Sequence, residues 1–240
     1  MRTVSTRSFA LAFPFFLAAC AVGSGGFTKP DGGDGGTATP DGSSPKDGSS
    51  SCKTAPPSNA CGVSPQCGCE GNQTCDVTDT AGTVACVNAG SKPMGSSCST
   101  TADCAVGLSC ELGACHAFCD PNGACTSPKT NVCVNLQDGN GGDVPNLKIC
   151  RMKCSLTAPA AACGTGNCIA TSNGDTDCVG AGTSSTCSSS NPFACAQGTI
   201  CLTDNTCHKW CQVGTTCPSG SCQALNPSVL VQGVEYGICP

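Results

Sequence analysis

Nearly one residue in seven between Cys52 and Cys239 is a cysteine, 26 of the 27 in this 240-residue chain. That density decides what the chain can fold into. Residues 52–240 hold only 27 Leu, Ile, Val and Phe in 189 positions, about 14%. A chain below about 20% cannot bury enough apolar surface to offset its ordering entropy. A conventional large hydrophobic core is excluded, and covalent staples must hold the fold. Dense disulfides persist only in oxidising compartments, so the chain is expected to be exported. No run approaches the roughly 18 apolar residues of a membrane-spanning helix.

The first nineteen residues read as a signal peptide, with Arg2 and Arg7 ahead of an apolar segment from Phe9 to Leu17. Leu17-Ala18-Ala19-Cys20 resembles the bacterial lipobox. The resemblance implies cleavage between Ala19 and Cys20 and acylation of Cys20, which becomes the mature first residue. Several acyl chains meet the requirement for stable anchoring. Ala21 in place of Asp points, by the same analogy, to an outer membrane or cell surface. Parity agrees, because removing Cys20 leaves an even 26 cysteines to pair. The alternative is ordinary cleavage after Ala21, which releases a secreted protein.

Residues 20–51 form a Gly/Ser/Asp/Pro-rich tether behind the lipidated cysteine. Positions 21–51 carry nine Gly, six Ser, four Asp and three Pro. As a random coil they would span about 30 Å. Without Arg2 and Arg7 the formal charge of −5 becomes −7. Only Lys148, Arg151 and Lys153 cluster, so no nucleic-acid partner is expected.

Beyond the tether the cysteines repeat. Cys98, Cys104, Cys110, Cys115, Cys119, Cys125, Cys133 and Cys150 match Cys187, Cys195, Cys201, Cys207, Cys211, Cys217, Cys222 and Cys239, with Gly107 and Gly198 at equivalent places. A weaker repeat precedes each copy. Cys52, Cys61, Cys67, Cys69, Cys75 and Cys86 stand before the first, and Cys154, Cys163, Cys168 and Cys178 before the second. Cys52 and Cys61 align by spacing with Cys154 and Cys163. The order is A–B–A–B: a six-Cys module over 52–97, an eight-Cys module over 98–153, a four-Cys module over 154–186 and an eight-Cys module over 187–240. Each count is even, so each module can close its own bridges, although eight cysteines alone permit 105 pairings.

Local signals are those of short strands and tight turns, with little helix beyond the signal peptide. Asn173-Gly174 and Gln232-Gly233 each mark a two-residue hairpin loop. Val132, Val134 and Leu136 are expected to face Leu147 and Ile149 across the loop from Asp138 to Asp143. The expected fold is a rod or string of small disulfide-rich modules, mostly β-hairpins and loops.

Zinc knuckles, thioredoxin chemistry and c-type haem attachment all need Cys-x2-Cys, which occurs nowhere in the chain. Common catalytic motifs are also missing, and neither a catalytic role, a cofactor nor a small-molecule substrate is expected. Asp138, Asn140 and Asp143 are a weak calcium candidate, because they offer oxygen ligands on a flexible loop. His116 and His208 occupy equivalent places, which favours a local structural hydrogen bond. Trp210, Phe118 and Tyr236 are expected to pack inside the apolar-poor core rather than to anchor a partner.

The pattern Cys98-x5-Cys104-x2-Gly107-x2-Cys110-x4-Cys115, with Asp103 before the second Cys, resembles the cysteine-rich module at the start of Dickkopf-type secreted proteins. It is also similar to modules repeated in cysteine-rich lipoproteins of myxobacteria. The resemblance implies an extracellular, non-catalytic module. The sequence therefore reads as a lipid-anchored surface protein, structural or in contact with an extracellular protein or glycan. A protease inhibitor presenting Lys129 or Arg151 is the alternative, and thiol-based metal sequestration a third.

Overall fold

The computed structural model describes residues 61–138 and 142–240. Cys20, Cys52 and Asn140 lie outside these residues, as do the signal peptide and tether. The described backbone is built of short antiparallel strand pairs, with one four-residue helix, α1 (Ala160–Cys163). Among the described residues no helix is long and apolar enough to cross a membrane.

The repeating element is smaller than the eight-cysteine module. It is a run of four half-cystines in which the first bonds the third and the second bonds the fourth. Six such units follow one another: 61–75 with 69–86, 98–110 with 104–115, 119–133 with 125–150, 154–168 with 163–178, 187–201 with 195–207, and 211–222 with 217–239. Cys67 is disulfide-bonded as well. This pairing shifts the alignment read from spacing. Cys61 corresponds to Cys154 and Cys69 to Cys163, because each first bridge closes the same 14-residue separation onto a hairpin.

Cross-strand geometry explains the unit. The first has a two-residue pair, β1 (Gly62–Val63) with β2 (Gln66–Cys67), then the hairpin β3 (Gln73–Val77) and β4 (Val84–Asn88). The second hairpin is β5 (Leu108–Glu111) with β6 (Ala114–Ala117), the third β7 (Thr130–Gln137) with β8 (Asp143–Met152), and the fourth β9 (Asn167–Ala170) with β10 (Thr176–Val179). In these four hairpins the third and fourth half-cystines face each other: Cys75 and Cys86, Cys110 and Cys115, Cys133 and Cys150, Cys168 and Cys178. Directly opposed residues project to the same face. The two preceding cysteines therefore reach across that one face, and their bridges lie side by side. The sulfurs of Cys98, Cys104 and Cys115, for example, lie within 4.8 Å of one another. Each bridge closes 11 to 25 residues, which stabilises the fold by about 3 kcal/mol.

The last two units share one sheet. β11 (Thr199–Cys201), β12 (Cys207–Gln212), β15 (Gln223–Val231) and β16 (Val234–Ile238) order as β11-β12-β16-β15, with the small pair β13 (Thr216–Cys217) and β14 (Gly220–Ser221) beside them. Gln232 and Gly233 take φ of 51° and 82° between the paired Val231 and Val234, the two-residue loop expected from sequence. The Asn173-Gly174 hairpin forms, but its loop is longer. Thr176 pairs with Ala170, and the Thr171 amide donates to the Asp175 carbonyl at 2.9 Å. Gly174 alone takes positive φ there, so the primed turn that needs two such residues does not close.

The units are not independent beads, as a string would require. One cluster joins Ala114, Met152, Leu156, Trp210 and Val231 with Cys163, Cys168 and Cys178, drawing on both halves of the chain. A second joins Phe118, Leu136, Val144, Leu147 and Ile149. Trp210 and Phe118 are buried, and Tyr236 packs against the first cluster. Half-cystines thus supply much of the apolar interior that aliphatic residues would supply elsewhere.

The A–B joints repeat. The Gly90 amide donates to Cys104 O at 2.6 Å, and the Gly182 amide to Cys195 O at 2.9 Å. A Cβ on Gly90 would meet Ala102 O at 2.3 Å, and one on Gly182 would meet Ala194 O at 2.1 Å. Only glycine permits this approach. Gly107 N donates to Thr74 Oγ1, and Gly198 N to Asn167 Oδ1, each acceptor preceding the third half-cystine of its unit.

Candidate functional site

The most chemically loaded part of the molecule is the β5–β6 hairpin and what covers it. Ser109 and Glu111 lie two apart on β5 and share a face, and His116 on β6 stands opposite Ser109. Ser109 Oγ donates to Glu111 Oε1 at 3.0 Å. Asp76 on β3 belongs to the same network, its Oδ2 accepting from Thr101 Oγ1. Burial pushes the Asp76 carboxyl above its ordinary range, opposed by the hydrogen bond from Thr101. Burial pushes Glu111 further, up to about 7, with Asp76 adding to the rise while Ser109 and His116 oppose it.

His116 is fully buried, and both its ring nitrogens face acceptors. Nδ1 lies 3.0 Å from the Ala114 carbonyl and Nε2 lies 3.0 Å from Asp177 Oδ1. Both nitrogens therefore donate, and the ring is an imidazolium. Burial alone would depress its pKa, but the hydrogen bond and charge of Asp177, with Ala114 O and Glu111, outweigh burial and raise it. Asp177 also accepts from the amides of Met152 and Cys178, each at 2.9 Å. The pair connects residues 61 positions apart and fastens the fourth hairpin to the second. With no exposed nitrogen, His116 cannot take a proton from a substrate. His208, its counterpart, bonds locally instead: Nε2 lies 2.8 Å from Asp204 Oδ2, a partly exposed pair that holds Asp204 down at about 2 through Thr206 and His208.

Arg151 comes in from β8, with Nε 3.9 Å from Asp177 Oδ2 and a side chain 25% exposed. Its Nη1 is buried without a hydrogen-bond partner among the described residues. Beside it opens a cleft of about 280 Å³, whose polar wall is Glu111, Asn135, Gln137, Asp143, Arg151 and Asp177. Val134, Leu136 and Ile149 line the same cleft, the last two deeply buried. This is near the lower end of ligand-site volumes.

The structure sorts the residues singled out by sequence. The 24 half-cystines of the twelve bridges are oxidised, so their sulfur clusters are stacked disulfides and not thiolate sets. Asp138 Oδ1 accepts from the Gly142 amide at 2.8 Å, and Asp143 Oδ2 accepts from Asn135 Nδ2 at 2.8 Å. Lys129 is exposed on the turn closed by the Thr130 amide and Ser127 carbonyl. Arg151 stands on a strand with part of its guanidinium walled in, which is not how a protease-directed side chain on a projecting loop is presented. Glu111, Asp76 and Asp177 were not singled out by sequence reasoning. The available signal was a carboxylate beside a hairpin cysteine, as in Cys75-Asp76 and Asp177-Cys178. Comparison with family models, curated proteins and solved structures gives no match.

Proposed function

We propose that this chain is a non-catalytic, lipid-anchored surface protein whose bridged units hold a rigid face for contact with an extracellular protein or glycan. The observation that supports it best is the pairing. Among the described residues, twelve disulfides join 24 half-cystines in six successive sets of four, a construction suited to an oxidising compartment. Cys20 anchors the amino end, and the tether lifts the folded units away from the membrane. Intact-mass analysis of the native protein tests this, with a Cys20→Ala variant as control. The expected result is added acyl mass on Cys20, lost in the variant, together with two hydrogens missing for every bridge. Unacylated protein, or protein with its cysteines reduced, refutes the reading. The exposure of Lys129 keeps protease inhibition as a second reading, which fails if stoichiometric protein leaves a trypsin-like protease fully active.

A further inference from the structure

We infer that the cleft between β5 and the β7–β8 hairpin binds a neutral saccharide unit of a glycan. The inference deepens the proposed contact function and rests on it. The first argument is charge. Asp177 is already paired with the His116 imidazolium, Glu111 is held up at about 7, and Arg151 offsets Asp143, so the lining carries little net charge to draw in an anion or a cation. A neutral polyol suits such a lining, because each hydroxyl both donates and accepts. It can donate to Glu111 and Asp143, and accept from Arg151 and from the side-chain amides of Asn135 and Gln137.

The second argument is the mixed lining. Leu112, 36% exposed, and the half-buried Val134 give the cleft an accessible apolar part, backed by the core residues Leu136 and Ile149. A sugar ring has a C–H face that can lie on such a surface while its hydroxyls meet the polar wall. A cleft of about 280 Å³ suits one or two rings rather than a larger ligand. The third argument is rigidity. Cys119–Cys133 and Cys125–Cys150 fasten β7 and β8 to the segment before them, and a site fixed before binding loses little entropy when it fills. Neutral sugars, whose individual contacts are weak, depend on that.

The test uses the oxidised, folded protein and follows backbone amide NMR shifts. Neutral mono- and oligosaccharides are titrated to tens of millimolar, alongside uronic-acid and amino-sugar counterparts. The expected result is saturable shifts at Glu111, Asn135, Gln137 and Asp143 with a neutral sugar, weaker with either charged counterpart. Gln137→Ala and Asp143→Ala alter exposed side chains, so the rest of the spectrum serves as the folding control. Each variant is expected to weaken binding about tenfold. Absence of shifts with every neutral saccharide overturns the assignment, as do tighter binding of a charged counterpart and unchanged affinity in both variants. Protein that is bridged and acylated yet indifferent to sugars refutes this ligand while leaving the anchored-surface reading intact.

Discussion

Replacing Glu111 by Gln should stabilise the protein at alkaline pH. The folded state holds the carboxyl at about 7 against an ordinary 4.5, chiefly through burial. At about 1.4 kcal/mol for each tenfold change in proton affinity, that rise is worth about 3 kcal/mol. An acid whose pKa is raised by folding binds its proton more tightly in the folded state. The associated stability is complete below about 4.5 and is lost as pH rises through about 7. Gln keeps an oxygen for the Ser109 hydroxyl and has no proton to lose. Wild type and Glu111→Gln should therefore be close in stability near pH 4.5 and diverge above it, with the variant ahead by up to about 3 kcal/mol at pH 8. Loss of the attraction to His116 trims that gain. Asp76 and His116 titrate in both proteins, so the difference between the two reports Glu111 together with its coupling to those groups. Guanidinium unfolding with disulfides intact, at fixed ionic strength and several pH values, measures it. A variant no more stable than wild type at pH 8, or a gap that does not change with pH, refutes the argument.

Other outcomes follow from the same contacts. Asp177→Ala strips the carboxylate from His116 and from the Met152 and Cys178 amides, and should cost about 3–5 kcal/mol in the same unfolding assay. Trp210→Ala empties the centre of the larger cluster and should cost about 3–5 kcal/mol. Gly182→Ala forces a Cβ against Ala194 O. It should speed amide hydrogen exchange at the joint between Gly182 and Cys195 while leaving the Gly90 joint protected, and equal protection at both joints in the variant refutes the steric argument. Full reduction in a chelator-containing buffer should abolish resistance to proteolysis, since the bridges outweigh the apolar packing; persistent resistance refutes that balance.

What the sequence determined by itself is the covalent character of the fold and its local turns. The cysteine density and scarcity of aliphatic residues demanded staples. Gln232-Gly233 announced its two-residue loop because both residues take positive φ, whereas Asn173-Gly174 carried the same local signal and announced its hairpin but not its loop length. Equal spacing around Gly107 and Gly198 likewise exposed the repeat. Only the tertiary structure decided which sulfurs pair, since many connectivities fit one spacing and the choice depends on which cysteines face the same side of a hairpin. The shared core around Trp210, the Asp177 contact to His116 and the mixed cleft beside Arg151 were also decided there. These contacts join residues far apart in the chain, through packing angles between units, and such contacts leave no periodic trace in the order of the amino acids.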